Sequence, residues 1–279
     1  MTIAYLNGVY APLEETRISV MDRGFLLADG VYEVIAVYDG KGFLQEQHLE
    51  RLERSLAGIR LENPHTRTEW KDLLDDLVQR NGGGDQSIYL QVTRGTAPTR
   101  SHNFPKGIAP TVLITSQPLF VPDRVQPAKV ITRTDIRWDR CDIKSVALLA
   151  NLLLRQEAVE AGCLEAILIR DGRMTEGAAS NVFIVSQDRI MTSPKGLFLL
   201  GGITRDLIIE LCTAAHLPME VVDISEALLR SANEVWVTSS LMGIVPIVEL
   251  DGVSVGSGQP GPWWEKVWLL FQDYKSSFR

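Results

Sequence analysis

The chain reads as an α/β (α+β) protein built in two domains, and three features of its 279 residues predict this. Period-two apolar runs alternate with longer runs of helical period, the pattern of strands and helices packed together. One stretch, 118–127, carries three prolines and few apolar anchors, as a linker does. Finally, the length suits one large or two medium domains, and 45% hydrophobic with 23% charged residues is enough to bury a core. The expected division is a small α/β domain at 1–117, a linker at 118–127 and a larger domain at 128–279, with a ligand cleft between them.

Each element has its own local cause. Asn7-Gly8 and Asp39-Gly40 predict two-residue hairpin turns, in which both central residues need positive φ. The second turn joins the run Val31-Tyr32-Glu33-Val34-Ile35-Ala36-Val37 to Phe43-Leu44. Leu49, Leu52, Leu56 and Ile59 then recur at helical spacing. So do Trp70, Leu73, Leu74, Leu77 and Val78, before Asn81-Gly82-Gly83-Gly84 stops that helix. Residues 87–93 and 111–116 read as strands separated by a polar loop. Beyond the linker an Ala- and Leu-rich helix follows Lys144, and residues 166–169 form a strand that turns at Asp171-Gly172. Residues 181–185 make another strand, and Gly201-Gly202 leads into a helix carrying Ile203, Leu207, Ile208, Leu211 and Ala215. Trp263, Val267, Leu270, Phe271 and Tyr274 mark the last helix.

The formal charge of −7 and the pI near 5.2 argue against nucleic acid or an anionic membrane as partner, since both need a basic footprint. The longest apolar stretch, 145–154, is far too short to span a bilayer. The first eight residues lack the basic-then-apolar order of a secretory leader. Cys141, Cys163 and Cys212 are odd in number and fit neither a zinc site nor a disulfide framework. The expectation is a soluble cytoplasmic protein with no metal.

Four segments carry residues suited to chemistry. Lys144, in Cys141-Asp142-Ile143-Lys144-Ser145, precedes the Ala/Leu-rich helix. An arbitrary lysine is a surface charge, but a cation at a positive helix N-terminus beside apolar sequence is disfavoured, and the neutral amine is the form Schiff-base chemistry needs. Glu176 ends a hairpin strand beside Gly177-Ala178-Ala179, small residues that let a flat ligand approach. Gly201-Gly202-Ile203-Thr204-Arg205 opens a helix whose first-turn N–H groups form an anion site, although it is no Walker motif. In the polar loop after Thr93, Arg100 and His102 are alternate residues and would point the same way if extended, as a carboxylate trap requires.

Further segments carry a resemblance that covers nearly the whole chain: Asp22-Arg23-Gly24-Phe25, Asp29-Gly30-Val31-Tyr32-Glu33-Val34, His48-Leu49-Glu50-Arg51-Leu52, Val92-Thr93-Arg94-Gly95-Thr96-Ala97, Asp135-Ile136-Arg137-Trp138, the Lys144 segment, 176–183 and Gly202-Ile203-Thr204-Arg205-Asp206. In this order they resemble the fold-type IV pyridoxal 5'-phosphate (PLP) enzymes of aminotransferase class IV, and within them the D-amino acid aminotransferases. Departures include Ala28 in place of a common glycine, Gly201 in place of a frequent lysine, Ala178 and Ala179 in place of serines, and Leu241-Met242-Gly243 in place of a polar stretch.

The resemblance implies roles. Lys144 matches the lysine that holds PLP as a Schiff base and moves the substrate α-proton, and Glu176 matches the carboxylate facing the pyridine nitrogen. Arg51, Ile203, Thr204, Ser239 and Ser240 match contacts to the cofactor phosphate. Tyr32, Arg100 and His102 match the trap for the substrate α-carboxylate, the last two reaching in from the partner of a homodimer, while Trp138 and Leu200 match the side-chain pocket. The implied reaction is ping-pong transamination between a D-amino acid, D-alanine foremost, and a 2-oxo acid such as 2-oxoglutarate. Rivals of the same fold are 4-amino-4-deoxychorismate lyase, branched-chain L-amino acid aminotransferase and R-selective amine transaminase. The rival of another class is a non-enzymatic binder of a phosphate ligand.

Overall fold

The computed structural model describes residues 2–120 and 125–278, so positions 121–124 of the expected linker lie outside the described residues. The chain divides into two compact units. In the first, β1 (Ile3–Leu6), β2 (Val9–Pro12), β3 (Gly30–Tyr38), β4 (Lys41–Gly42), β5 (Gln86–Thr93) and β6 (Thr111–Pro118) form an antiparallel sheet in the order β2-β1-β6-β5-β3-β4. The Asn7-Gly8 and Asp39-Gly40 turns have the expected positive φ throughout. Three helices accompany the sheet: α1 (Arg23–Leu27), α2 (Gln45–Gly58) and α3 (Arg67–Arg80). The last begins with a reciprocal capping box between Thr66 and Glu69. Val31, Ile35 and Val37 alternate along β3 and join Leu49, Leu52, Leu56, Trp70, Leu74 and Leu77 in one core, period two meeting period 3.6.

Residues Ile143–Ala147 belong to this first unit, which a contiguous boundary at 128 does not anticipate. The reason is the edge of β3. Short β4 pairs only with Val37 and Tyr38. Near the other end Ser145 bridges Val31, the Tyr32 N–H donates to the Lys144 carbonyl at 3.0 Å, and the Val146 N–H donates to the Gly30 carbonyl at 3.0 Å. Ile143 enters the core. Lys144 is therefore an extended partner of β3, and the Ala/Leu-rich helix α4 (Leu149–Glu160) starts five residues later. At that distance along the chain Lys144 is not in the first turn of α4, so a helix dipole is not what would neutralise its amine.

The second unit holds β7 (Ala128–Thr134), β8 (Glu165–Arg170), β9 (Arg173–Gly177), β10 (Asn181–Ser186), β11 (Arg189–Thr192), β12 (Met219–Val221), β13 (Ile224–Ser225), β14 (Glu234–Ser239), β15 (Gly243–Leu250) and β16 (Val253–Ser254). They share one mixed sheet, β12-β11-β10-β14-β15-β7-β8-β9-β13, with β16 beside β15. Helices α5 (Ile203–Ala214), α6 (Glu226–Arg230) and α7 (Pro262–Phe278) complete the unit with α4. Asp171-Gly172 turns β8 into β9 as expected. Gln187-Asp188 turns β10 into β11 with φ of 50° and 57° and no glycine, so composition gave no sign of it. In α7 the buried aromatic of the first turn is Trp264, not Trp263, and Leu270 and Tyr274 are only half-buried. Glu234 sets this rotation by accepting from the Trp263 and Trp264 backbone N–H groups at 2.9 and 2.8 Å. Among the described residues no helix is long and apolar enough to cross a membrane.

Candidate active site

In the first unit three of the expected residues gather around β3. The Lys144 Nζ lies 4.3 Å from the Tyr32 ring centroid, on the opposite side-chain row from Val31, Glu33 and Ile35. The Lys144 backbone N–H donates to Ser55 Oγ at 3.2 Å, which ties the segment to α2. Arg51 stands one helical turn before Ser55, so both face the same way. Its guanidinium forms a fork on Glu33, Nε to Oε1 at 2.8 Å and Nη2 to Oε2 at 2.7 Å. His48 Nδ1 meets the same Oε2 at 2.7 Å, and since a carboxylate only accepts, Nδ1 carries the proton. All three groups are buried. The Glu33 carboxyl is held well below the usual range: burial opposes ionisation, but the Arg51 charge and its hydrogen bonds outweigh it.

Arg100 and His102 are both exposed, on the loop between β5 and β6. The loop's base is tied by the Arg23 N–H donating to the Gly95 carbonyl and the Ala97 N–H to the Met21 carbonyl.

In the second unit Glu176, at the end of β9, is buried. Oε1 pairs with Arg137 Nη1, while Oε2 accepts from Asn181 Nδ2 and from the Leu200 N–H, both at 3.1 Å. Arg137 is itself committed to Asp135, with Nε on Oδ1 and Nη2 on Oδ2 at 2.9 Å each. Burial pushes the Glu176 carboxyl up, to about 7, despite the Arg137 charge and hydrogen bond that pull it down. A carboxyl so placed is short of positive charge, and an added cation would favour its ionised form.

The helix start expected to hold an anion lies beside Asn181, the partner of Glu176. Gly202 caps α5 without a side-chain cap, so the first-turn N–H groups of Ile203 and Thr204 have no such acceptor from it. A Cβ at Gly202 would stand 1.8 Å from Asn181 Oδ1, so only glycine lets the helix start pack against the residue that holds Glu176. Asn181 pairs with Thr238 across β10 and β14, which puts Ser239 and Ser240 just past that row. Ser239 Oγ accepts from the Met242 N–H at 3.3 Å in the turn that follows. Lys195 runs over Gly201, its Nζ 3.6 Å from where a Cβ would be and paired with Asp206 at 2.6 Å. A cation thus stays at this helix start although position 201 lacks one. Leu200 contributes its backbone to Glu176, and Trp138 is 49% exposed, with its carbonyl accepting from Cys141 Sγ at 3.2 Å.

Sequence reasoning passed over Glu33, His48, Arg137 and Asn181. Glu33 had a signal, since it is the one charge on an otherwise apolar row of β3 and so demands a buried partner. Arg137 and Asn181 had none that period or composition could supply.

Comparison with known proteins places the chain. The amino-transferase class IV family model matches residues 30–250. The D-alanine aminotransferase of Bacillus licheniformis is 40% identical over 269 residues, 96% of this chain and 95% of its own. That of Listeria monocytogenes is 38% identical over 261 residues, 92% of this chain and 90% of its own. Among solved structures, the branched-chain amino acid aminotransferase from Escherichia coli superposes with a TM-score of 0.89 at 25% identity, covering 97% of this chain and 93% of that one, a likeness of fold. The chain belongs to the class IV aminotransferases, PLP-dependent transaminases of fold type IV.

Proposed function

We propose that this enzyme moves an amino group between a D-amino acid, D-alanine foremost, and a 2-oxo acid such as 2-oxoglutarate. The observation that carries the reading is the pair on the edge of β3, with the Lys144 amine over the ring of Tyr32. It sets the reacting nitrogen beside a residue suited to the substrate carboxylate. The relatives named D-alanine aminotransferases, 37–40% identical, support the same substrate class.

The residues fit PLP. A phosphate suits the uncapped start of α5, where Ile203 and Thr204 offer backbone N–H groups, together with the Ser239 and Ser240 hydroxyls. A protonated ring nitrogen suits Glu176, a buried carboxyl whose one cationic partner, Arg137, is shared with Asp135. When bound, PLP supplies the electron sink for the transfer. The protein's part is to aim and to move protons. Lys144 would hold the cofactor through Nζ and, once the substrate amine had displaced it, the same nitrogen would take the proton from the substrate Cα and deliver it to the cofactor carbon it had left. Glu176 would hold positive charge on the ring nitrogen, and Arg137, Asn181 and the Leu200 N–H hold Glu176. Tyr32, with Arg100 and His102 from the second copy of a homodimer, binds the substrate carboxylate. Trp138 and Leu200 border its side chain. The three cysteines are free thiols, which suits the reducing cytoplasm.

The test is direct. Purified protein should be yellow with PLP, and D-alanine should shift that band. Lys144→Ala should abolish both the shift and turnover; normal steady-state turnover in this variant would overturn the assignment. D-alanine should outrun L-leucine and a chiral amine as donors, and aminodeoxychorismate should not be cleaved; the opposite result in any arm would name the rival of the same fold.

A further inference from the structure

The loop that carries Arg100 and His102 is exposed, yet it is held at three places by buried groups. At its neck, Gly95 has φ +98°, and a Cβ there would stand 2.0 Å from the Ala109 carbonyl oxygen, so the two ends can close only on a glycine. At its middle, Arg23 Nη1 donates to the Ser101 carbonyl at 2.6 Å and to the Asn103 carbonyl at 3.3 Å, one contact on each side of His102. Beyond it, the Phe104 ring lies 3.7 Å from the Arg94 guanidinium and 5.1 Å from that of Arg60.

Charge balance explains why these arginines reach the loop. Arg23 and Arg94 are both buried and share one carboxylate, Asp29. Oδ2 accepts Arg23 Nε at 2.7 Å and Arg94 Nε at 2.8 Å, and Oδ1 accepts Arg94 Nη2 at 3.0 Å. One anion cannot satisfy the donors of two guanidinium groups, so those remaining must find carbonyl oxygens. Arg94 takes those of Ile59 and Arg60, and Arg23 takes those of Ser101 and Asn103.

We propose that Arg23 is a positioning residue for substrate recognition: anchored on Asp29, it grips both flanks of His102 and so sets where the loop presents Arg100 and His102. The proposal rests on the reading of those two residues as a carboxylate trap. It predicts that the trap is rigid before substrate arrives, because its anchor lies within the fold of the same chain.

The experiment uses the PLP-loaded enzyme. Arg23→Lys keeps the charge but loses the fork that reaches Asp29 and the two carbonyls together. It should raise KM for D-alanine on the order of ten- to a hundredfold, with kcat changed by less than about threefold. A carboxylate-free primary amine of the same hand should lose little in the first half-reaction, and the PLP absorbance should match the parent's. Amide hydrogen exchange across 96–108 should quicken on the order of tenfold. Phe104→Leu, which leaves Arg23 intact and removes the stacked ring, should move exchange and KM the same way by less, and it carries the test if Arg23→Lys does not fold. Parental exchange and KM in the folded variants, beside a raised KM in Arg100→Ala, would overturn the clamp and leave the trap standing. Quickened exchange with no loss of carboxylate selectivity in Arg100→Ala would overturn the trap, and with it the positioning role.

Discussion

Two buried carboxylates, one in each unit, face an arginine and differ in what they do with it. Glu33 receives a bidentate Arg51 and the N–H of His48, and is held ionised. Glu176 receives one nitrogen of an arginine already forked on Asp135, plus two uncharged donors, and its carboxyl rises to about 7. Burial is near complete for both, so burial does not separate them. Charge compensation does. Glu33 is a finished ion pair whose work is to hold Arg51 and the α2 face against β3. Glu176 shares its arginine with Asp135, and under the proposed function the ring nitrogen of PLP would supply the further positive charge.

The largest test of that contrast is Glu33→Gln, which strips two cationic or donor groups of their anion. It should cost about 3–5 kcal/mol in denaturant unfolding, and a loss below about 1 kcal/mol would break the comparison. Glu176→Gln should lower turnover on the order of 10²–10³-fold while the apoprotein's unfolding midpoint holds or rises. Destabilisation matching that at Glu33 would make Glu176 a structural pair after all.

A pH series sharpens the contrast through its sign. Glu33 is depressed from the usual 4.5, so its stabilisation is present above 4.5 and fades as pH falls through its lower folded value. Glu176 is raised, so its contribution is full below 4.5 and fades as pH climbs toward 7. Stability of the parent apoprotein minus that of Glu176→Gln should therefore decline with pH between 4.5 and 7, by at most about 1.4 kcal/mol per unit. Bound PLP should flatten the decline; an unchanged slope would remove the cation from Glu176. The smallest effect is His48→Gln, whose amide can still donate to Glu33 at a cost of about 1 kcal/mol. Burial depresses His48 below 6.5, so the parent loses stability as pH falls through 6.5 and the variant should lose less there.

Much of this was legible because it is local. The i, i+3, i+7 leucines of α2 made a helix with one buried face, and the Asn-Gly and Asp-Gly pairs made turns. The glycine at 202 marked the start of α5. Other features escaped for reasons just as physical. Gln187-Asp188 takes up a glycine-like conformation because β10 and β11 impose it. Two adjacent tryptophans could not declare which one faces inward until Glu234 gripped the first turn of α7. Lys144 was singled out for the wrong neighbour, since the helix it precedes in sequence is not what holds it.

From residue order alone came the element types, the family resemblance and the residue set Lys144, Glu176, Arg51, Tyr32, Arg100 and His102, because period, turn chemistry and motif are properties of short segments. Tertiary structure decided that Ile143–Ala147 pairs with β3, which arginine each buried carboxylate meets, and that Arg23 grips the loop at Ser101 and Asn103. Those are contacts across many residues, and the proton affinity of a buried acid depends on the count of charges that folding brings to it.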